Sequence, residues 1–237
     1  MRRARPSVRA VLGELRAQRN PRNVEGMARY GINPRGTLGV PMPRLRTMGR
    51  SMGKDHSLAL ALWRSGIHEA RILASLVDDP ARVTNRQMDA WAGQFDSWDV
   101  CDQVCQNLFE DIPTAYDKAL QWSRSEKDFV KRAGFVLMAR LAVSDRFAPD
   151  SKFGAFLPAI VRGSVDDRTY VRKAVNWALR QIGKRNPALH VAALRCSREL
   201  AGRTSPSARW IGRDALRELE LPSVRGRIER KRRGTRR

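Results

Sequence analysis

The stretch "FVKRAGFVLMARLA" at residues 129–142 is repeated in outline by "YVRKAVNWALRQIG" at residues 170–183, 41 residues further on. In the first copy Val130, Ala133, Leu137 and Leu141 fall at helical spacing, and in the second Val171, Ala174 and Leu179 do the same. A shorter echo follows: "ALRQI" from Ala178 returns as "ALREL" from Ala215, a separation of 37 residues. Amphipathic helices returning at about 40 residues mark HEAT-like solenoids, in which each helix pair buries its apolar face against the next. A compact all-α domain is the alternative these separations leave open.

The same periodicity extends outward over nearly the whole chain. Residues 7–19, 42–52, 55–65, 67–77, 85–95, 98–111, 113–123, 126–142, 151–162, 168–183, 187–200 and 206–219 read as helices. "NPRN", "GINPRGTLGVP", "DDP", "DIP", "APD", "GKRNP" and "TSP" punctuate them, and strand-like alternation is absent. The expectation is an all-α protein, a curved solenoid of about six HEAT-like helix pairs with a concave basic face. It is expected to occupy residues 1–221. Residues 222–237, "PSVRGRIERKRRGTRR", lack an apolar face and are expected to be a disordered basic tail that adds non-specific phosphate contacts.

Composition narrows the function classes. With 237 residues, 42% of them hydrophobic, the chain can build a real core, which excludes wholesale disorder. Lys and Arg number 46 against 24 Asp and Glu, a net charge of +22, so a polyanionic partner is expected. Nucleic acid is the first candidate and an anionic membrane surface the second. No run of about 18 apolar residues exists, so no bilayer span is expected. The start "MRRARPSVRAVLGELRAQRN" lacks the apolar run of a secretory signal, and its arginine-rich, acid-poor character leaves an organellar transit peptide as a minor reading. Three cysteines, an odd number, argue for a reducing compartment, and a cytoplasmic, nucleoid-associated protein is expected.

Several familiar motifs fail. "GRSMGK" (49–54) has a glycine too early for a phosphate-binding loop, and Asp55 stands where Ser or Thr belongs. "HEARI" from His68 lacks the second histidine of a zinc protease helix. Cys101 and Cys105 are spaced i, i+4, with Cys196 remote and no histidine nearby in sequence, which argues against a zinc cluster. His56, His68 and His190 read as structural, and no metal or cofactor is expected.

The informative carboxylate lies in "SWDVCDQVC" (97–105). On a helical wheel Trp98, Cys101, Val104, Cys105, Leu108 and Phe109 share one arc, and Asp102 borders it beside Trp98. Asp96 or Ser97 suits the N-cap and Asp99 the first turn. That leaves Asp102 as either solvated or lining a site. Trp177 is framed by Tyr170, Lys173, Arg180 and Lys184, and reads equally as a platform for a sugar or base and as a core residue with snorkelling neighbours. Arg132 lies opposite the apolar set of its own helix. Successive repeats of a solenoid line one wall, which is how Trp98, Asp102, Arg132 and Trp177 are expected to meet.

At these residues the chain resembles the AlkD-like HEAT-repeat DNA alkylation repair glycosylases. Trp98-Asp99-Val100-Cys101-Asp102 matches a tryptophan four residues before an essential aspartate. "VKRAGF" matches the arginine that opens an "RA" helix, and "KAVNWALR" the tryptophan-bearing helix; "MARYGINPRGTLGVPMPRLR" is similar to the family's early loop-to-helix passage. The likeness runs from about residue 20 to about residue 219. One departure is Ser97, where some members carry a further tryptophan. The resemblance implies a monofunctional glycosylase, acting on double-stranded DNA as a monomer without cofactor, that hydrolyses the N-glycosidic bond of purines alkylated at N3 or N7. It implies Asp102 as the carboxylate stabilising an oxocarbenium-like sugar, Trp98 and Trp177 as its aromatic walls, and Arg132 as a phosphate clamp. Lys173, Arg180 and Lys184 complete the expected DNA contacts. Two other readings stand beside it: a non-catalytic HEAT-like protein that binds damaged or branched DNA, and a helical-repeat scaffold for RNA or an acidic protein.

Overall fold

A computed structural model describes residues 6–234, with side chains through residue 231. These residues form fifteen α-helices and two short 3-10 turns, with no strand among them. The described residues divide into two compact units, one ending at Ile112 and the other beginning at Pro113.

The first unit contains α1 (Val8–Ala17), α2 (Pro21–Arg29), α3 (Met42–Met52), α4 (His56–Arg64), α5 (His68–Val77), α6 (Asn85–Ala92) and α7 (Trp98–Asn107). Here α4 packs on α5, and α5 in turn on α3 and α7. The core is aromatic: Trp63 and Trp91 stack with ring centroids 4.0 Å apart, and Phe95 and Phe109 close around them. The helix α2 corrects the sequence reading, which took "NPRN" as a break. The Asn20 side chain accepts from the Asn23 amide and Pro21 opens the first turn, so the motif starts a helix.

The second unit contains α8 (Ala115–Trp122), α9 (Asp128–Ser144), α10 (Asp150–Gly154), α11 (Leu157–Gly163), α12 (Thr169–Gly183), α13 (Pro187–Ala201), α14 (Pro206–Leu219) and α15 (Pro222–Gly234). The repeated stretches become α9 and α12, which pack on each other, and α14, which packs on α12. Equivalent residues of successive repeats meet: the Phe129 ring lies 5.7 Å from that of Tyr170. The unit is an all-α HEAT-like stack. Between residues 151 and 162 the chain breaks into α10 and α11 instead of one helix, turning at Ala155 and Phe156, with Phe153 before the turn and Phe156 within it both buried.

The expectation of a disordered tail from residue 222 fails over the described residues. Val224 and Ile228, four apart, are buried and α15 packs on α13 and α14. Two apolar side chains suffice here because the neighbouring helices supply the rest of the apolar surface; residues 235–237 lie outside the described residues. Among the described residues no helix is long and apolar enough to cross a membrane.

Candidate functional site

Helix α7 presents the first half of the expected constellation. Ser97, fully buried, stands at its N-cap position, but its hydroxyl donates to Asp99 Oδ1 at 2.5 Å instead of capping an amide. Trp98 is half-buried, and its indole N–H donates to the Tyr30 carbonyl at 3.0 Å, which fixes the ring. Asp102, also half-buried, follows one turn later, while Cys101 and Cys105 are buried thiols on the inner face.

Asp99 does more than start the helix. Its Oδ2 lies 2.9 Å from His68 Nε2 at the start of α5. Burial opposes charge on both groups, but their hydrogen bond and mutual attraction prevail. His68 titrates above its ordinary value and Asp99 below its own, so the two form an ion pair. The adjacent Glu69 is buried too, and its carboxylate accepts the amides of Leu38, Gly39 and Val40 at 2.6–3.2 Å. Gly39 sits at φ +81, and a Cβ there would meet the Asn20 carbonyl at 2.3 Å. The "HE" of the failed zinc motif thus ties α5 to α7 through His68 and to the loop at residues 38–40 through Glu69. Sequence reasoning missed this because the partners lie about 30 residues away in both directions.

Trp98 and Asp99 line a cavity of about 600 Å³ together with Met27, Tyr30, Met42 and His68. Asp102 is not among its lining residues.

The second unit carries the other predicted residues, and it treats them unequally. Arg132, expected on a solvated face, is only 6% exposed, because α9 is buried on nearly every side from residue 132 to 139. Its Nη1 donates to the Tyr170 carbonyl in the first turn of α12 at 2.6 Å. Trp177 is half-buried on α12 and Lys173, one turn before it, is exposed. Arg180 and Lys184 both engage Glu218 of α14, Lys184 at 2.6 Å. Burial works to raise the Glu218 pKa, but the two cations hold it below its usual range. The helical wheel showed these cations without the acid that meets them, since Glu218 lies 34 and 38 residues later.

Burial pushes the Cys196 thiol up to about 11, so it is a packing residue and a poor nucleophile. Among the described residues no group of three or more His, Cys, Asp or Glu side chains is arranged to hold a metal.

Comparison with known proteins places this geometry in context. The family model for DNA alkylation repair enzymes matches residues 11–219. No curated protein matches at a significant level. A solved structure, described as "a new family of proteins related to the HEAT-like repeat DNA glycosylases with affinity for branched DNA structures", superposes with a TM-score of 0.77. It is 18% identical, over 94% of this chain and 96% of that one, and establishes a shared fold.

Proposed function

The chain belongs to the DNA alkylation repair enzyme family, and on that premise we propose that it is a monofunctional DNA glycosylase. Its substrates are purines alkylated at N3 or N7 in double-stranded DNA. The observation that carries this is Trp98 and Asp102 one turn apart on α7, with the Trp98 ring held by the Tyr30 carbonyl. The alkylated base is already cationic and leaves without strong protonation, so the protein need only stabilise the sugar. Asp102 stabilises the oxocarbenium character that develops at the deoxyribose and orients the attacking water. The face of the Trp98 ring supports the same positive charge.

In the second unit Trp177 packs against a DNA sugar, and exposed Lys173 provides a backbone phosphate contact. Arg180 and Lys184, paired with Glu218, add weaker long-range attraction. The family resemblance implies a phosphate clamp at Arg132. Its burial and its bond to the Tyr170 carbonyl favour a positioning role, holding α12 against α9. The protein acts as a monomer.

Methylated genomic DNA is the test substrate, with released 7-methylguanine and 3-methyladenine as the readout. Wild type is expected to release both. Asp102→Asn is expected to lose about 3 kcal/mol of transition-state stabilisation, more than a hundredfold in rate, while keeping its affinity for DNA. Release by the variant at the wild-type rate would remove Asp102 from the mechanism. One second reading has its own support: the structural neighbour described by affinity for branched DNA suggests a non-catalytic binder of such DNA. Tight binding to branched DNA with no base released from methylated DNA would select it.

A further inference from the structure

Helix α15 brings two of its cations to a place where the glycosylase reading uses only Lys184. Arg227 and Lys231 close a cavity of about 650 Å³ against the ends of α9 and α12 and the start of α10. Three further cations line it, Arg146, Lys184 and Arg185, against the single carboxylate of Asp150. That carboxylate accepts from Asn186 at 2.7 Å, and Lys184 is neutralised by Glu218. Arg185 is anchored: its guanidinium lies 4.0 Å from the Phe153 ring and donates to the Ala142 and Ala148 carbonyls. Lys231 donates to the Lys184 and Arg185 carbonyls at 3.2 and 2.6 Å. Arg146 and Arg227 are exposed and have no ion-pair partner among the described residues. The positive charge gathered here exceeds the negative.

The Lys231 ammonium registers this excess. Burial first, and then Arg227, Arg185 and Arg146, hold its pKa below the ordinary lysine value. A bound anion would relieve that repulsion.

At the rim stands Phe147, 98% exposed, between the cavity-lining residues Arg146 and Ala148. Its loop is held in place: Asp145 accepts the Phe147 and Ala148 amides through Oδ1 and the Tyr116 hydroxyl through Oδ2. A fully exposed phenylalanine forgoes about 1.5–3 kcal/mol of burial, and a fixed loop displays it outward.

We propose that this cavity binds a phosphodiester of DNA containing unpaired bases, and that Phe147 stacks on the exposed base beside it. The proposal rests on the DNA-binding reading above and adds a second contact point to it. A recess lined by cations admits a narrow phosphodiester chain, and one aromatic ring matches one base face. An anionic bilayer fits less well. Among the described residues only half-exposed Val143 accompanies Phe147 there, too little apolar surface for insertion.

The full chain is titrated by fluorescence anisotropy against an intact duplex and the same duplex with a short single-stranded gap, over a range of salt. Arg146→Ser with Arg227→Ser is expected to flatten the log–log salt dependence on gapped DNA by about 0.7 to 0.9 units, the slope of one phosphate contact. Phe147→Ser is expected to weaken binding to gapped DNA by about tenfold, with little effect on intact duplex and no change in salt slope. All three side chains are exposed, so the fold is expected to survive each change. Wild-type affinity and slope on gapped DNA in either variant would overturn the proposal. So would loss of binding to phosphatidylserine vesicles in variants whose DNA binding is unchanged, which would assign the site to a membrane. Base release from methylated DNA is measured on the same proteins. If wild type binds gapped DNA but releases no base, the glycosylase reading fails and this site stands. If base release is normal and both variants bind DNA like wild type, only this site fails.

Discussion

His68 and Asp99 form a pair whose contribution to stability depends on pH in a definite direction. His68 titrates above its ordinary 6.5 in the folded protein, so its contribution is complete below that value and is lost as pH rises through the higher folded value. Asp99 titrates below its ordinary 3.8, so its contribution is present above 3.8 and is lost as pH falls through the folded value. Together they stabilise most between those two ordinary values. The gap in thermal midpoint between wild type and His68→Gln is therefore expected to be widest near pH 5 and to narrow at alkaline pH, above the raised His68 value. An equal gap at both would mean that a neutral hydrogen bond holds α7 in place. Asp99's position in the first turn of its helix was legible from sequence. Its partner was not, because a histidine 31 residues away leaves no periodic trace.

At the scale of elements, the crossing of α13 and α14 depends on Gly212. A Cβ there would lie 2.4 Å from the Ala201 amide nitrogen and 2.5 Å from the Ser197 carbonyl oxygen, backbone atoms that cannot move aside without separating the helices. Gly212→Ala is expected to cost about 2 kcal/mol, read as a lower urea midpoint. Gly13→Ala in α1 is the control, since nothing lies within 4 Å of a Cβ there and helix propensity favours alanine by about 0.5–1 kcal/mol. Destabilisation of the same size at both sites would show that close helix approach is not the cause. Most helices were legible because each carries its own apolar stripe. The exceptions have identifiable reasons. Helix α2 has no buried residue, and its cap looks like a turn. Helix α15 buries only Val224 and Ile228 among its described side chains, too few for a sequence pattern.

At the scale of the molecule, the charge of +22 and the last helix act together. Deleting residues 222–237 removes eight cations and one acid. A disordered tail would take only charge with it, and the thermal midpoint would not move. Because Val224 and Ile228 are buried, the deletion is expected to lose about 3 kcal/mol of apolar burial and lower the midpoint, as well as flattening the salt dependence of DNA binding. An unchanged midpoint would show that α15 does not contribute to stability.

The sequence by itself determined the helical class, the repeat of about 40 residues, the appetite for a polyanion and the spacing of Trp98 and Asp102. These follow from local periodicity, from total charge and from positions one turn apart. Tertiary structure alone decided what each polar group meets. It buried Arg132 under the Tyr170 carbonyl, paired Arg180 and Lys184 with Glu218, joined His68 to Asp99, and folded α15 against a cationic cavity. A helical wheel shows which face a residue occupies. The element packed against that face, 30 to 40 residues away, decides whether a charge is spent on structure or left for a ligand.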